Sequence, residues 1–416
     1  MNAGGGGELA LVGGEPVLPS LAPVDWPRTT DADRAAVLAV LESNVLVSDR
    51  AGLTAVERLE RSWAEFLGVR RCVGVSNGTT AIELALLAHG VGPGDEVVVP
   101  ALTFVGTAMA VTHVGATPVY ADVDPVTFTM SPRSLSAVFT ERTRAVIPVH
   151  LHGLSADLAA ITDLARSHGC AVIEDAAQAH GARYHGVLSG AFGNTATFSL
   201  QMTKNLPTCG EGGLVVTNDD SVADSLVQLR QFGELIRPDQ PRRYVSHRLG
   251  FNAKLSNVQA AYTGSQLERF PEYHAARRKN VAAFLARLGN LPGLVCPSEP
   301  DGYEHAWHIL RFVVDLDRLF PDLSTAAART LLIRALRAEG VPATRYQMMP
   351  LADQPALRSL CRQEPAWPVT QDVIDRSFTI QQRHLPPDAG PLLQRFADAV
   401  EKVWSNLAVL EKGAAS

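Results

Sequence analysis

Lysine is rare in this 416-residue chain. Of 37 basic residues only five are lysine (Lys204, Lys254, Lys279, Lys402 and Lys412), so few side-chain amines are on offer for covalent chemistry. Cysteine is equally sparse. The five thiols (Cys72, Cys170, Cys209, Cys296 and Cys361) are far apart, odd in number and form no Cys-x-x-Cys pair, so neither a disulfide framework nor a zinc site is suggested. No apolar run reaches the ~18 residues needed to span a bilayer, so no membrane partner is expected. The opening MNAGGGGELALVGGEP lacks the charged start and sustained apolar stretch of a signal peptide and reads as a flexible leader, with the cytoplasm as the expected location. The formal net charge of −6 is spread along the chain without a long block of either sign, which argues against nucleic-acid binding. Histidine is less rare, and His150/His152 and His305/His308 are spaced like metal ligands. No third and fourth ligand lies near either pair, so no metal site is expected.

Between residues 70 and 235, short β-branched runs alternate with helical stretches. The runs RCVGVS (71–76), DEVVVP (95–100), TPVYAD (117–122), AVIPVH (145–150), AVIEDA (171–176), TATFSL (195–200) and GLVVTN (213–218) predict seven strands. Near-continuous apolar character suits strands buried on both faces, as in a mainly parallel sheet flanked by helices. An α/β fold follows, with ligands expected at the carboxyl ends of the strands. Helices are predicted at 80–90 and 156–169, the second capped by Gly169, and a long one at about 256–289. LPGLVCPSEPDG then reads as a linker into a smaller α+β unit, with strands near 307–315 and 341–346 and helices at 325–338 and 390–411. The expected division is a leader and capped helix at 1–50, a large α/β unit at 51–289 and a small unit at 290–416, with residues 1–50 joining the small unit.

Lys204 stands out among the five lysines. It lies in SLQMTKNLPTCGEGG, a loop between an apolar strand and a glycine-rich turn, whereas Lys279, Lys402 and Lys412 lie on helical surfaces and read as solvated. Partial desolvation at a sheet edge would lower the pKa of Lys204 and free its lone pair to attack a carbonyl. A surface loop lysine is the plainer alternative. Asp175 ends the run AVIED, where a buried carboxylate needs a cationic partner, such as a protonated pyridine ring; it also suits a helix N-cap. Gln178 follows by one helical turn and can reach the same pocket. In VSNGTTAIELAL a strand gives way to Asn77-Gly78-Thr79 and then to a helix, a natural phosphate seat because free backbone N–H groups meet the positive end of a helix dipole. Thr80 to Glu83 also fits a capping box that needs no ligand.

The order of these blocks resembles the DegT-type aminotransferases of the aspartate-aminotransferase-like fold. The resemblance runs from about residue 13 to 390. It is carried by NGTTAIELAL, GPGDEVVVPALTFVGTA, GATPVYADVDP, PVHLHG, VIEDAAQAHGA, FSLQMTKNL, GEGGLVVTND and GFNAKLSNVQAA. It implies fold type I and pyridoxal 5′-phosphate (PLP) as cofactor. It also implies transamination of a keto-sugar or ketocyclitol, with glutamate or glutamine as amino donor, in aminosugar, aminocyclitol or antibiotic biosynthesis. Lys204 would carry the covalent link and move the α-proton, and Asp175 would pair with the ring nitrogen. Gln178 would touch the ring hydroxyl and Phe104 would stack on the ring, although Phe104 also suits a core position. Gly78, Thr79 and Ser199 would bind the phosphate. Asn252 would reach the phosphate of a partner subunit, which implies a homodimer with shared sites; the alternative is a cap on the helix near Ser256. His180 falls near the ring in sequence but equally suits a structural role.

The chain departs from many members in reading Asn77-Gly78-Thr79-Thr80 instead of Ser-Gly-Thr-Asp, and in Lys254 where an Arg is common. Together with Gln201 and SFTIQQRHL (377–385), this resembles the branch making aminocyclitols and aminohydroxybenzoate. Substrate contacts are expected in loops at about 180–190, 240–248 and 303–308. A PLP-dependent dehydratase or aminohydroxybenzoate synthase is the nearest rival, although Lys204 stands where such dehydratases often have His. A non-catalytic regulatory protein that merely holds PLP is a second rival.

Overall fold

The computed structural model describes residues 8–19, 26–48, 54–236, 242–361, 364 and 367–414. The glycine-rich first seven residues of the expected leader lie outside them.

Two helices precede the first sheet, α1 (Asp31–Ser43) and α2 (Ala55–Leu67). Both open on a threonine capping box, from Thr30 with Asp33 and from Thr54 with Glu57. Among the described residues seven strands then form one sheet: β1 (Arg71–Val75), β2 (Glu96–Pro100), β3 (Thr117–Ala121), β4 (Thr143–Val146), β5 (Ala171–Asp175), β6 (Thr195–Ser199) and β7 (Gly213–Thr217). Their order is β1-β7-β6-β5-β4-β2-β3, and β7 alone runs against the other six. Val97, Val98 and Val99 of β2 are all fully buried, so the strand needs apolar side chains on both faces, as its unbroken valine run foretold. The faces are covered by α2, α3 (Gly78–Ala88), α4 (Gly106–His113), α5 (Leu158–Ser167), α6 (Asp220–Arg230) and the first half of α7 (Asn257–Leu288).

A second core gathers the far half of α7 (Val281, Phe284, Leu288) with Phe312, Phe378 and Phe396. It is built on the antiparallel strands β8 (Leu294–Val295), β9 (Ile309–Val314) and β10 (Ser377–Gln381), with α8 (Thr325–Ala338) and α9 (Gly390–Trp404). The expected strand at 341–346 is not formed; Thr344 makes an isolated bridge to Thr379 instead. Pro342 removes a ladder donor there, and the slot beside β9 is filled by SFTIQ, a segment with four buried residues. The expected final helix breaks after Trp404 and resumes as α10 (Leu407–Ala414).

The N-terminal stretch divides between the two units. Leu9, Leu11, Val17 and Leu18 pack on the second core, and the Ala10 and Val17 N–H groups donate to Glu339, as expected of a segment joining the small unit, whereas α1 packs on the start of α7 beside the first sheet. The buried Asp33 carboxylate explains the choice, because Arg269 grips both its oxygens at 2.8 Å. Lys402 is likewise not a freely solvated lysine; it donates to Glu15 O and pairs at 3.0 Å with the buried Glu339. All five cysteines are free thiols. Among the described residues no helix is long and apolar enough to cross a membrane, and no group of three potential ligands is placed to hold a metal ion.

Candidate active site

The carboxyl ends of β1, β5 and β6 open on a cleft of about 520 Å³. It contains Gly78, Thr79, Phe104, Asp175, Gln178, Ser199 and Lys204, seven of the eight positions singled out in the sequence.

At the end of β1, Asn77 caps α3 by accepting the Thr80 N–H at 2.8 Å. The cap is therefore Asn77 and not Thr80, and Glu83 pairs with His113 at 2.5 Å in place of the expected capping box. Helix geometry leaves the N–H groups of Gly78 and Thr79 without an intrahelical partner. A side chain at Gly78 would put a Cβ 2.8 Å from Cβ of Ser199, so glycine is what lets this helix start approach the end of β6. The backbone there is free to meet an anion, and the Ser199 hydroxyl lies beside it.

Asp175 closes β5 and is almost fully buried. Thr107 Oγ1 donates to its Oδ2 at 2.8 Å and the Ala177 N–H to its Oδ1 at 3.2 Å. Among the described residues no Lys, Arg or His forms a salt bridge with it, which leaves this buried carboxylate open to a cationic ligand. Its neighbour Glu174 points the other way, as strand alternation demands. That carboxylate is fully buried, accepting from the N–H groups of Gly190 (2.7 Å), Phe192 (2.9 Å) and Gly193 (2.6 Å) and from His150 Nε2 (2.9 Å). Burial works against this charge, yet the His150 contact and the N–H groups hold its pKa below the ordinary value.

Lys204 sits half-buried on the loop after β6, braced by its own N–H to Gln201 O at 2.7 Å and by Trp26 Nε1 to its carbonyl at 3.3 Å. Burial drives its pKa from 10.5 to about 8, against the opposing pull of the Asp175 and Glu211 charges. Phe104 is 58% exposed, a position no core phenylalanine would occupy.

Several cleft residues were given no role in the site from sequence: Thr103, Thr107, Glu211, Tyr346 and Gln381; His308 was noted only for its spacing to His305 and its place in an expected substrate loop. They come from segments far apart in the chain. His308 is buried and neutral, its pKa pushed down by burial and by the charge of Lys204, and its Nδ1 lies 3.3 Å from Asn205 Oδ1. The other three histidines of the two pairs make contacts within the fold. His150 serves Glu174, His152 accepts from Arg311, and His305 stacks on Trp307 with centroids 3.9 Å apart. His180 lies outside the cleft lining, packed between Trp63 and Phe198, with its pKa pushed down to about 3 by burial. Asn252 is exposed and outside this chain's cleft, where it accepts from Lys254. Of the loops expected to touch substrate, His308 reaches the cleft, and residues 240–241 lie outside the described residues.

Residues 27–386 match the DegT/DnrJ/EryC1/StrS aminotransferase family, and the chain belongs to it. It is thus a PLP-dependent aminotransferase of fold type I. A GDP-perosamine synthase of Caulobacter vibrioides is 45% identical over 267 residues, covering 64% of this chain and 70% of that protein. An L-glutamine:2-deoxy-scyllo-inosose aminotransferase of Streptomyces lividus is 39% identical over 340 residues, covering 80% of this chain and 78% of that protein. Among solved structures, 3-amino-5-hydroxybenzoic acid (AHBA) synthase superposes with a TM-score of 0.81 at 30% identity, covering 94% of this chain and 99% of that chain. The residues present fit PLP: helix-start N–H groups and a hydroxyl for a phosphate, a buried carboxylate for a ring cation, and an amine of lowered pKa.

Proposed function

We propose that the enzyme moves an amino group from glutamate or glutamine to a ketone borne on a polyhydroxylated ring, a keto-sugar or ketocyclitol. The observation that carries this reading is the cleft itself, where a desolvated Lys204 and a buried, cation-seeking Asp175 share walls with neutral hydroxyl and amide groups: Thr103, Thr203, Gln201, Tyr346 and Gln381. Such groups suit ring hydroxyls.

In this reading the Gly78 and Thr79 N–H groups and the Ser199 hydroxyl hold the phosphate. Phe104 covers one face of the ring, Gln178 meets the ring hydroxyl, and the Asp175 carboxylate pairs with the ring nitrogen. When bound, PLP supplies a carbonyl that links to an amine and a conjugated ring that spreads the electron pair left by a departing proton. Asp175 keeps its ring cation charged through the reaction. Nζ of Lys204, with a pKa near 8, takes and returns the substrate's α-proton close to neutral pH, where acid and base forms are both accessible.

We further propose a homodimer in which Asn252 serves the neighbouring site. Support comes from apolar side chains left in solvent on nearby segments: Leu249 is 95% exposed, Tyr244 76% and Phe251 48%. The deciding test offers glutamine or glutamate with a panel of ketocyclitols and keto-sugars, nucleotide-linked and free. Product amine from a ring ketone is expected. Borohydride reduction should fix the cofactor on Lys204, with no adduct in Lys204→Ala. An adduct on Lys254, or no turnover of any ring ketone, would overturn the reading.

A further inference from the structure

Behind Gln178 lies a chain of polar contacts that the reaction as described does not use. Arg311 on β9 is fully buried, yet its partners are all neutral: Nε donates to His152 Nε2 at 2.9 Å, one terminal nitrogen to Ser377 Oγ at 2.6 Å and the other to Gln347 Oε1. Burial lowers its pKa to about 10, so it remains a cation, and its charge together with burial keeps His152 neutral. His152 occupies a left-handed backbone conformation (φ 63°) that a side chain of this size adopts only when held there. It is held on both sides: its carbonyl accepts the His308 N–H at 2.9 Å and its own N–H donates to Gln178 Oε1 at 2.7 Å. With Oε1 committed, the Gln178 amide can turn only its Nε2 to the remaining neighbour, Tyr346 Oη at 3.1 Å.

Tyr346 therefore accepts from Gln178, and among the described residues its hydroxyl proton has no other destination. The phenol lines the cleft, packs edge-on against His152 with centroids 5.8 Å apart, and senses the charges of both Asp175 and Arg311. Burial raises its pKa, so it stays a donor. The Gln178 amide likewise keeps a second N–H. Two donors thus stand side by side on one wall.

We propose that Tyr346, paired with Gln178, donates a hydrogen bond to the ring hydroxyl oxygen of PLP, with Arg311 and His152 as the positioning residues that fix the pair's orientation. This rests on the functional reading above, in which Gln178 faces that oxygen. A donor to the ring oxygen stabilises its anionic form and so makes the adjacent Schiff-base nitrogen less basic. Removing that donor must do the opposite.

The test is spectrophotometric titration of holoenzyme for wild type, Tyr346→Phe, Gln178→Ala and the double variant, with thermal melts alongside. Tyr346→Phe should retain cofactor colour and fold while the pKa of the Lys204–cofactor linkage rises by about one unit, as expected for loss of a charge-assisted bond. The shift in the double variant should differ from the sum of the singles, because the two donors share one acceptor and each other. An unshifted linkage pKa with a raised KM for the ketone would assign Tyr346 to substrate and overturn the proposal. A lowered melting temperature with linkage pKa and KM both unchanged would make it merely structural, and would overturn it too. Wild-type enzyme without the coloured Lys204 adduct would instead sink the functional reading itself.

Discussion

Replacing Lys204 with methionine should make the cofactor-free protein more stable at neutral pH, even as it abolishes activity. The lysine's pKa falls from 10.5 in the unfolded chain to about 8 in the fold, a gap of ~2.5 units, chiefly because burial disfavours the ammonium. At about 1.36 kcal/mol per unit the ceiling on the cost of burying it is ~3.4 kcal/mol. Lys204 keeps part of its surface in solvent, and screening there reduces the expected effect to roughly 1–2 kcal/mol. The sign follows from proton counting. Between pH 8 and 10.5 the unfolded chain binds a proton that the folded chain has released, so wild-type stability rises with pH through that window relative to a variant that cannot titrate. Below pH 8 the cost is at full strength. Urea unfolding of both cofactor-free proteins, near neutral pH and again at about pH 10.5, measures it. Methionine should win at neutral pH and lose that lead as pH rises. A variant that is no more stable at neutral pH, or a lead that does not change with pH, would show that Lys204 is not desolvated in the way its reactivity requires.

Asp175→Asn should leave the fold intact and cofactor bound while lowering kcat by ~100-fold or more, since a neutral amide cannot hold a ring cation; near-normal turnover would refute the pairing. Glu174→Gln should destabilise the protein by about 3–5 kcal/mol in denaturant melts, because a buried carboxylate gripping three N–H groups and His150 is replaced by an amide that sets its own N–H against theirs. The folded pKa of Glu174 is depressed, so its stabilisation is present above the unfolded value of 4.5 and disappears as pH falls through the lower folded value. The variant's deficit should shrink in that acid range, and a deficit independent of acid pH would refute the account. Mixing Asn252→Ala chains with Lys204→Ala chains should regenerate one intact site per heterodimer, read as trapped cofactor with wild-type phosphate affinity; a mixture no better than its parents would exclude shared sites.

The seven strands of the large sheet were legible because burial on both faces leaves short runs rich in apolar and β-branched residues, although AVIPVH (145–150) overshoots its strand, which ends at Val146. Helix starts were legible wherever a side chain can cap, but the α3 cap shows the resolution of that signal. Asn77, Thr79 and Thr80 all have oxygens within one turn, and only the backbone path shows that Asn77 is the acceptor. SFTIQ escaped as a strand because a five-residue run with alternating polar positions looks like any loop edge, whereas VPATRY looked more strand-like and is interrupted by its proline. In the site, Lys204 and Asp175 were legible from scarcity and from strand position. Tyr346, His308 and Glu174 were not, because their meaning lies in partners 16 to more than 150 residues away and no local pattern encodes a contact of that span. Asn252 is a different case: its proposed partner lies on another chain.

Ser199 and Lys204 stand five residues apart on one stretch of chain, and that stretch is pinned at several points. The Leu200 N–H reaches Gly212 O at 2.8 Å, Met202 N–H reaches Gly210 O at 3.0 Å, and Thr208 N–H reaches Leu200 O at 2.6 Å. The two ends of the cofactor would therefore be gauged by a fixed length of polypeptide, so the loop works as a ruler. Point substitutions inside it change the graduations little. A single inserted or deleted residue would change the scale, moving the amine off the reactive carbon while leaving the phosphate seat untouched. Evolution can reshape the surrounding walls for new ring ketones freely, but it cannot vary the length of this segment without giving up the chemistry.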